Sequence, residues 1–196
     1  TTEIYTLSLH DALRSIGVVH SSNLCTEITL NTSDDEIAVC NLGSVNLPHH
    51  ITEEGIDHKK LEKTITTAMR MLDNVIDYNF YSVPQARRAN GKHGLVGLGL
   101  MGLQDAVYTQ NMAYASAAAV QFADETMEAV SYYAIQASSD LAAERGTYPS
   151  YEGSLWSQGI LPIDSVEMLK QERGQFIDQD QSSTMDWDRL RDKIRN

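Results

Sequence analysis

Ser22-Asn23-Leu24-Cys25-Thr26-Glu27-Ile28 sets an amide, a thiol and a carboxylate at alternate positions, and the chain's only other cysteine, Cys40, follows fifteen residues after Cys25. Alternate side chains of an extended segment leave from one face, so Asn23, Cys25 and Glu27 would converge on one small volume. Ile28, Thr29 and Leu30 favour strand, and Asn31-Thr32-Ser33-Asp34-Asp35 is a turn cluster. Glu36-Ile37-Ala38-Val39-Cys40 then suits a second, antiparallel strand that brings Cys40 back toward Cys25.

Four readings of the two cysteines compete on residue chemistry. A structural disulfide is disfavoured without an export signal. Zinc would call for paired Cys or His at short spacing, which is missing. A cysteine hydrolase needs a base histidine, and His93, in what reads as a basic turn beside Lys92, has no supporting motif and is given no role. Two buried cysteines acting as small hydrophobes are what composition alone favours.

Downstream, Asn41 to Pro48 reads as a turn leading into a short extended piece. Asp57 is an N-cap for an amphipathic helix to about Asp77, with Leu61, Ile65, Ala68, Met69, Leu72, Val75 and Ile76 as its stripe. Pro84 opens a short helix through Asn90. Gly97-Leu98-Gly99-Leu100-Met101-Gly102 matches the dinucleotide-binding glycine pattern, but no strand is predicted before the later acidic pair, Asp124 and Glu125. A tight strand-to-helix junction is the better reading. Helices follow from about Leu100 to Tyr108 and from about Ser116 to Arg145, the second burying Val120, Ala123, Met127, Val130, Ala134, Ala137 and Leu141 and ending at Gly146. Tyr132 and Tyr133 read as packing residues. Asp164 to Ser183 is a polar excursion with a short helix near Ser165 to Glu172, and a last helix runs from Asp186 to Arg195.

The 196 residues are 42% hydrophobic, enough for one globular unit or part of a larger one. A net charge of -12 disfavours nucleic acid and anionic membrane as partners. No apolar run approaches the roughly eighteen residues of a membrane span, and a cytoplasmic setting with reduced thiols is expected. Thr1 to Ser15 has mixed periodicity and no caps; it reads more like a translated sequencing adapter than a native segment, so its His10 and Asp11 carry no weight.

Residues Ser22 to Ile28, then Glu36 to Leu47, resemble the active-site finger of the class I ribonucleotide reductase large subunit. The similarity continues through Asp77 to Pro84, the glycine turn Val96 to Ala106, and Tyr148 to Leu161. The resemblance implies an α/β, helix-rich fragment of that family's catalytic barrel, incomplete as a barrel, over residues 16–196, with 1–15 unassigned. It implies that Cys25 is the transient thiyl radical that takes the 3′ hydrogen of the ribose. Glu27 would accept the 3′-hydroxyl proton, Asn23 would hydrogen-bond the sugar, and Cys40 would be one of two reducing cysteines.

By the same resemblance the substrate is a ribonucleoside diphosphate. The partners are a small radical-generating subunit with a dimetal/tyrosyl radical cofactor, a second large subunit, and thioredoxin or glutaredoxin as reductant. ATP and dATP effector sites, the second reducing cysteine, the phosphate loop and the radical-path tyrosines are expected outside these residues, and no cofactor is expected on the fragment itself. It would then be inactive alone, with apolar surface exposed. An adenosylcobalamin-dependent reductase and a non-catalytic helical interaction module are the alternatives; a nicotinamide oxidoreductase rests on the glycine pattern alone.

Overall fold

The computed structural model describes residues 19–22, 29–174 and 181–195. The proposed triplet Asn23, Cys25 and Glu27 lies outside them.

Strand β1 (Leu42–Asn46) pairs in parallel with β4 (Gly97–Met101), Val45 opposite Leu100. Between them lie a small antiparallel ladder, β2 (Ile51–Thr52) with β3 (Gly55–Ile56), and two helices, α1 (His58–Tyr78) and α2 (Pro84–His93). A parallel pair needs such a crossover. After β4 come α3 (Leu103–Thr109), α4 (Ala117–Arg145), α5 (Ser165–Glu172) and α6 (Trp187–Arg195). Among the described residues the protein is helix-rich with two short sheets and no closed barrel.

Local chemistry sets the helix ends as expected. Asp57 caps α1, its Oδ1 accepting from the Lys60 amide at 3.0 Å. Ser116 caps α4 through the Ala119 amide at 3.1 Å, and Gly146 ends it with φ +90°. The predicted helices at Ser165 and near Asp186 are present.

Helices α1 and α4 run parallel. Four side-chain contacts, His58 to Tyr133, Glu62 to Gln136, Arg70 to Glu144 and Asp73 to Arg145, keep sequence separations of 75, 74, 74 and 72. Leu61, Ile65 and Met69 of α1 meet Val130, Tyr133, Ala137 and Leu141 of α4 in the main core, which reaches Val45 of β1. Each such buried aliphatic side chain stabilises by about 1.5–3 kcal/mol, whereas a half-exposed pair like Arg70–Glu144 is screened by solvent and adds little. Packing, not the ion pairs, holds the two helices together.

Four local expectations change. Residues 36–40 form no regular strand; the first ladder begins at Leu42. Asn41, Gly43, Asn46 and Pro48 read locally as a turn, but the glycine-rich β4 lets a second strand come close, and the pairing overrides that preference. The N-terminal half of α4 is rotated: Val120 is 69% exposed, while Ala119, Phe122 and Thr126 are buried. There α4 packs on a second cluster, Leu47, Ile51, Ala106 and Val107, and Thr126 satisfies its buried hydroxyl on the Phe122 carbonyl at 2.6 Å. Finally, α2 extends to His93, which is therefore no loop histidine.

The glycine pattern is no nucleotide cradle. Gly97 and Gly99 lie inside β4, and only Gly102, φ +80°, stands at a helix start. A Cβ on Gly102 would sit 2.6 Å from Pro48 Cδ, so this glycine serves close packing of the junction against Pro48. The strand-to-helix junction stands, with Asp124 and Glu125 inside α4.

Candidate functional site

The chain on either side of residues 23–28 is tied together: His20 Nδ1 lies 3.0 Å from Thr32 Oγ1. Leu30 is buried, and the Thr29 hydroxyl is buried with no hydrogen-bond partner among the described residues. The turn cluster forms as expected. The amides and carbonyls of Ser33 and Glu36 bond reciprocally at 2.9 and 3.4 Å, and Ser33 Oγ accepts from the Asp35 amide at 3.2 Å.

Glu36 then enters the interior, 6% exposed. Its Oε2 accepts from Asn31 Nδ2 at 2.7 Å and meets His93 Nε2 at 2.8 Å, while Lys92 Nζ bonds Oε1. His93, 7% exposed, has its other nitrogen 2.9 Å from Ser150 Oγ. Burial by itself would raise the pKa of Glu36, but the hydrogen bonds and charges of Lys92 and His93 outweigh it and bring the pKa down to about 2. A carboxylate so saturated is a poor proton acceptor near neutral pH. It is an anchor.

Cys40 is exposed at the end of this arm. The next residue, Asn41, is buried; its Nδ2 donates to Asn90 Oδ1 at 2.6 Å and to the Leu95 carbonyl at 3.0 Å. Asn90 in turn donates to the Tyr81 hydroxyl, which donates to the Ile76 carbonyl at 2.6 Å. Asn31, Asn41, His93 and Ser150 also line a largely apolar cavity of about 350 Å³, together with Val130 and Ala134 of α4.

Of the four residues singled out from the sequence, Cys40 alone is described; its relation to Asn23, Cys25 and Glu27 lies outside the described residues. The polar network of Glu36, Asn41, Asn90 and His93 went unread. Its traces were a carboxylate heading the apolar run Ile37-Ala38-Val39 and a three-residue Asn–His spacing on one face of α2. Among the described residues no group of three or more His, Cys, Asp or Glu is placed to hold a metal ion. No helix there is long and apolar enough to cross a membrane. Tyr132 and Tyr133 pack as expected, ring centroids 5.9 Å apart and edge to face.

Residues 9–196 match the family described as ribonucleotide reductase, barrel domain. The chain is 56% identical over 181 residues to the ribonucleoside-diphosphate reductase subunit alpha of Chlamydia pneumoniae, covering 92% of this chain and 17% of that protein. It is 39% identical to the large chain of the same enzyme from Schizosaccharomyces pombe, covering 92% and 21%, and 35% identical to the large subunit from Danio rerio, covering 93% and 22%. The chain thus spans about a fifth of the length of these relatives. By this match the chain belongs to the ribonucleotide reductase family, within its barrel domain.

Proposed function

We propose that this chain is the part of a class I ribonucleoside-diphosphate reductase large subunit that carries the radical cysteine and one reducing cysteine. The observation that carries the reading is the Asn23/Cys25/Glu27 triplet with Cys40 inside a chain of this family. The relatives' names supply the substrate class, a ribonucleoside diphosphate, and the product would be its 2′-deoxy form.

A small partner subunit with a dimetal/tyrosyl radical centre would supply the oxidising equivalent to Cys25. The Cys25 thiyl then takes the 3′ hydrogen atom of the ribose and becomes a thiol. Glu27 takes the 3′-hydroxyl proton, positioned general-base work for a carboxylate, while the 2′-hydroxyl accepts a proton from one of the two reducing thiols and leaves as water. Asn23 holds the sugar. Cys40 and a second cysteine outside these residues give two electrons and two hydrogens, one to the departing water and one to the 2′ carbon, and end as a disulfide. Glu27 gives its proton back to the 3′ oxygen, and Cys25 returns the 3′ hydrogen and is a thiyl again. Thioredoxin or glutaredoxin would reopen that disulfide by thiol exchange, which suits the reducing cytoplasm. Pairing with a second large subunit and control by ATP and dATP complete the proposal.

The test is a full-length subunit alpha of a relative in which this chain replaces the matching stretch. Cys25→Ser should abolish both deoxynucleotide formation and hydrogen exchange at the 3′ carbon, and unimpaired turnover in that variant would sink the assignment. Cys40→Ser should stop dithiol-dependent turnover yet retain 3′ hydrogen exchange. Activity that needs adenosylcobalamin instead of a small subunit would move the chain to the cobalamin-dependent class.

A further inference from the structure

One helix grips the Cys40 arm on both sides of the cysteine. Four residues before it, Glu36 is bonded by His93 and Lys92 of α2; one residue after it, Asn41 is bonded by Asn90 of α2. Asn90 and His93 stand three apart, on one face of the helix. Between the grips, residues 37–40 form no regular strand, and the Ile37 amide reaches the Gln85 carbonyl of α2 at 3.4 Å. Ser150, bonded to the far nitrogen of His93, fixes the imidazole from outside the helix.

A buried ion pair is a weak source of net stability, because desolvation offsets most of the attraction. What it supplies is direction. An apolar contact of equal volume would hold the arm against α2 in several registers. A carboxylate matched to three donors accepts one. With Asn41 held by Asn90 directly after it, a slip of the arm along α2 would carry the Cys40 thiol away from its present place.

Resting on the reading of Cys40 as a reducing cysteine, we infer that Glu36, His93, Asn41 and Asn90 are positioning residues that set where the Cys40 thiol stands. They act through Cys40.

The test uses the full-length subunit alpha carrying this chain. Glu36→Gln removes the charge and keeps the size; His93→Asn withdraws the imidazole and serves should Glu36→Gln not fold. Leu190→Ala, a core deletion on α6, is the control for lost stability alone. Alkylation of Cys40 by iodoacetamide in the reduced protein, followed at its peptide by mass spectrometry, should change about fivefold in the arm variants and less than about twofold in the control. In turnover with a dithiol, kcat should fall about tenfold in the arm variants with KM within about twofold, and 3′ hydrogen exchange should persist. Unchanged alkylation in the arm variants, or a change matched by Leu190→Ala, overturns the inference. If the unaltered chimaera makes no deoxynucleotide, the proposed function falls, while the alkylation rates still decide the positioning role.

Discussion

Glu36 can remain charged in the interior because Asn31, Lys92 and His93 replace its water. Its folded pKa, about 2, lies below the ordinary 4.5. The stability this contributes is therefore present above pH 4.5 and is lost as pH falls from there toward 2. Relative to its own protonated form, the ionised carboxyl gains on the order of 3 kcal/mol from the size of the shift; that is a difference between protonation states, not the net worth of the pair over an apolar contact. Urea unfolding of the parent and Glu36→Gln should show a wide gap in midpoint near neutral pH that closes through that acid window. A gap that stays constant across it would show that the carboxylate's charge is not what holds the arm.

At the scale of elements, the α1–α4 pair gives a ranked prediction. Leu61 is completely buried between the helices, so Leu61→Ala should cost about 2–5 kcal/mol. Asp57→Ala, which strips the N-cap, should cost about 1 kcal/mol. Arg70→Ala, which breaks a half-exposed two-pronged contact with Glu144, should cost the least of the three, and less still in salt. Denaturant midpoints measure all three, and an Arg70 effect as large as that of Leu61 would contradict the packing account.

Over the whole molecule, α6 is docked by Trp187. Its ring meets Tyr132 edge to face at 5.5 Å, and its Nε1 donates to Glu128 Oε1 at 2.9 Å. Glu128 also accepts from the Thr184 and Met185 amides at 2.9 and 3.0 Å, so one carboxylate of α4 gathers the lead-in to the last helix. Burial opposes ionisation of Glu128, but these bonds win and its pKa is lowered. Trp187→Ala should cost about 3–5 kcal/mol and open residues 181–195 to proteolysis. Cleavage there at the parental rate would mean that Trp187 is not the anchor. Elsewhere the surface carries large apolar side chains, Tyr78 at 94% and Phe80 at 84% exposure.

The sequence by itself determined the features whose causes are local. The Asp57 and Ser116 caps, the Gly146 stop, the turn at Ser33 to Glu36 and the α1 stripe were legible because capping and 3.6-residue periodicity act over a few neighbours. The family was legible too, in side-chain identities at fixed spacings. Tertiary structure alone decided the rest. Leu42 to Asn46 became a strand because β4 offered it a partner, α4 turned Phe122 inward because a second cluster lay beneath it, and His93 became a buried partner of Glu36 across 57 residues. These depend on contacts between distant segments, whose energy exceeds local preference and leaves no periodic mark. So the cysteine arm that Cys40 ends was visible as a motif, while the helix that holds it in place was not.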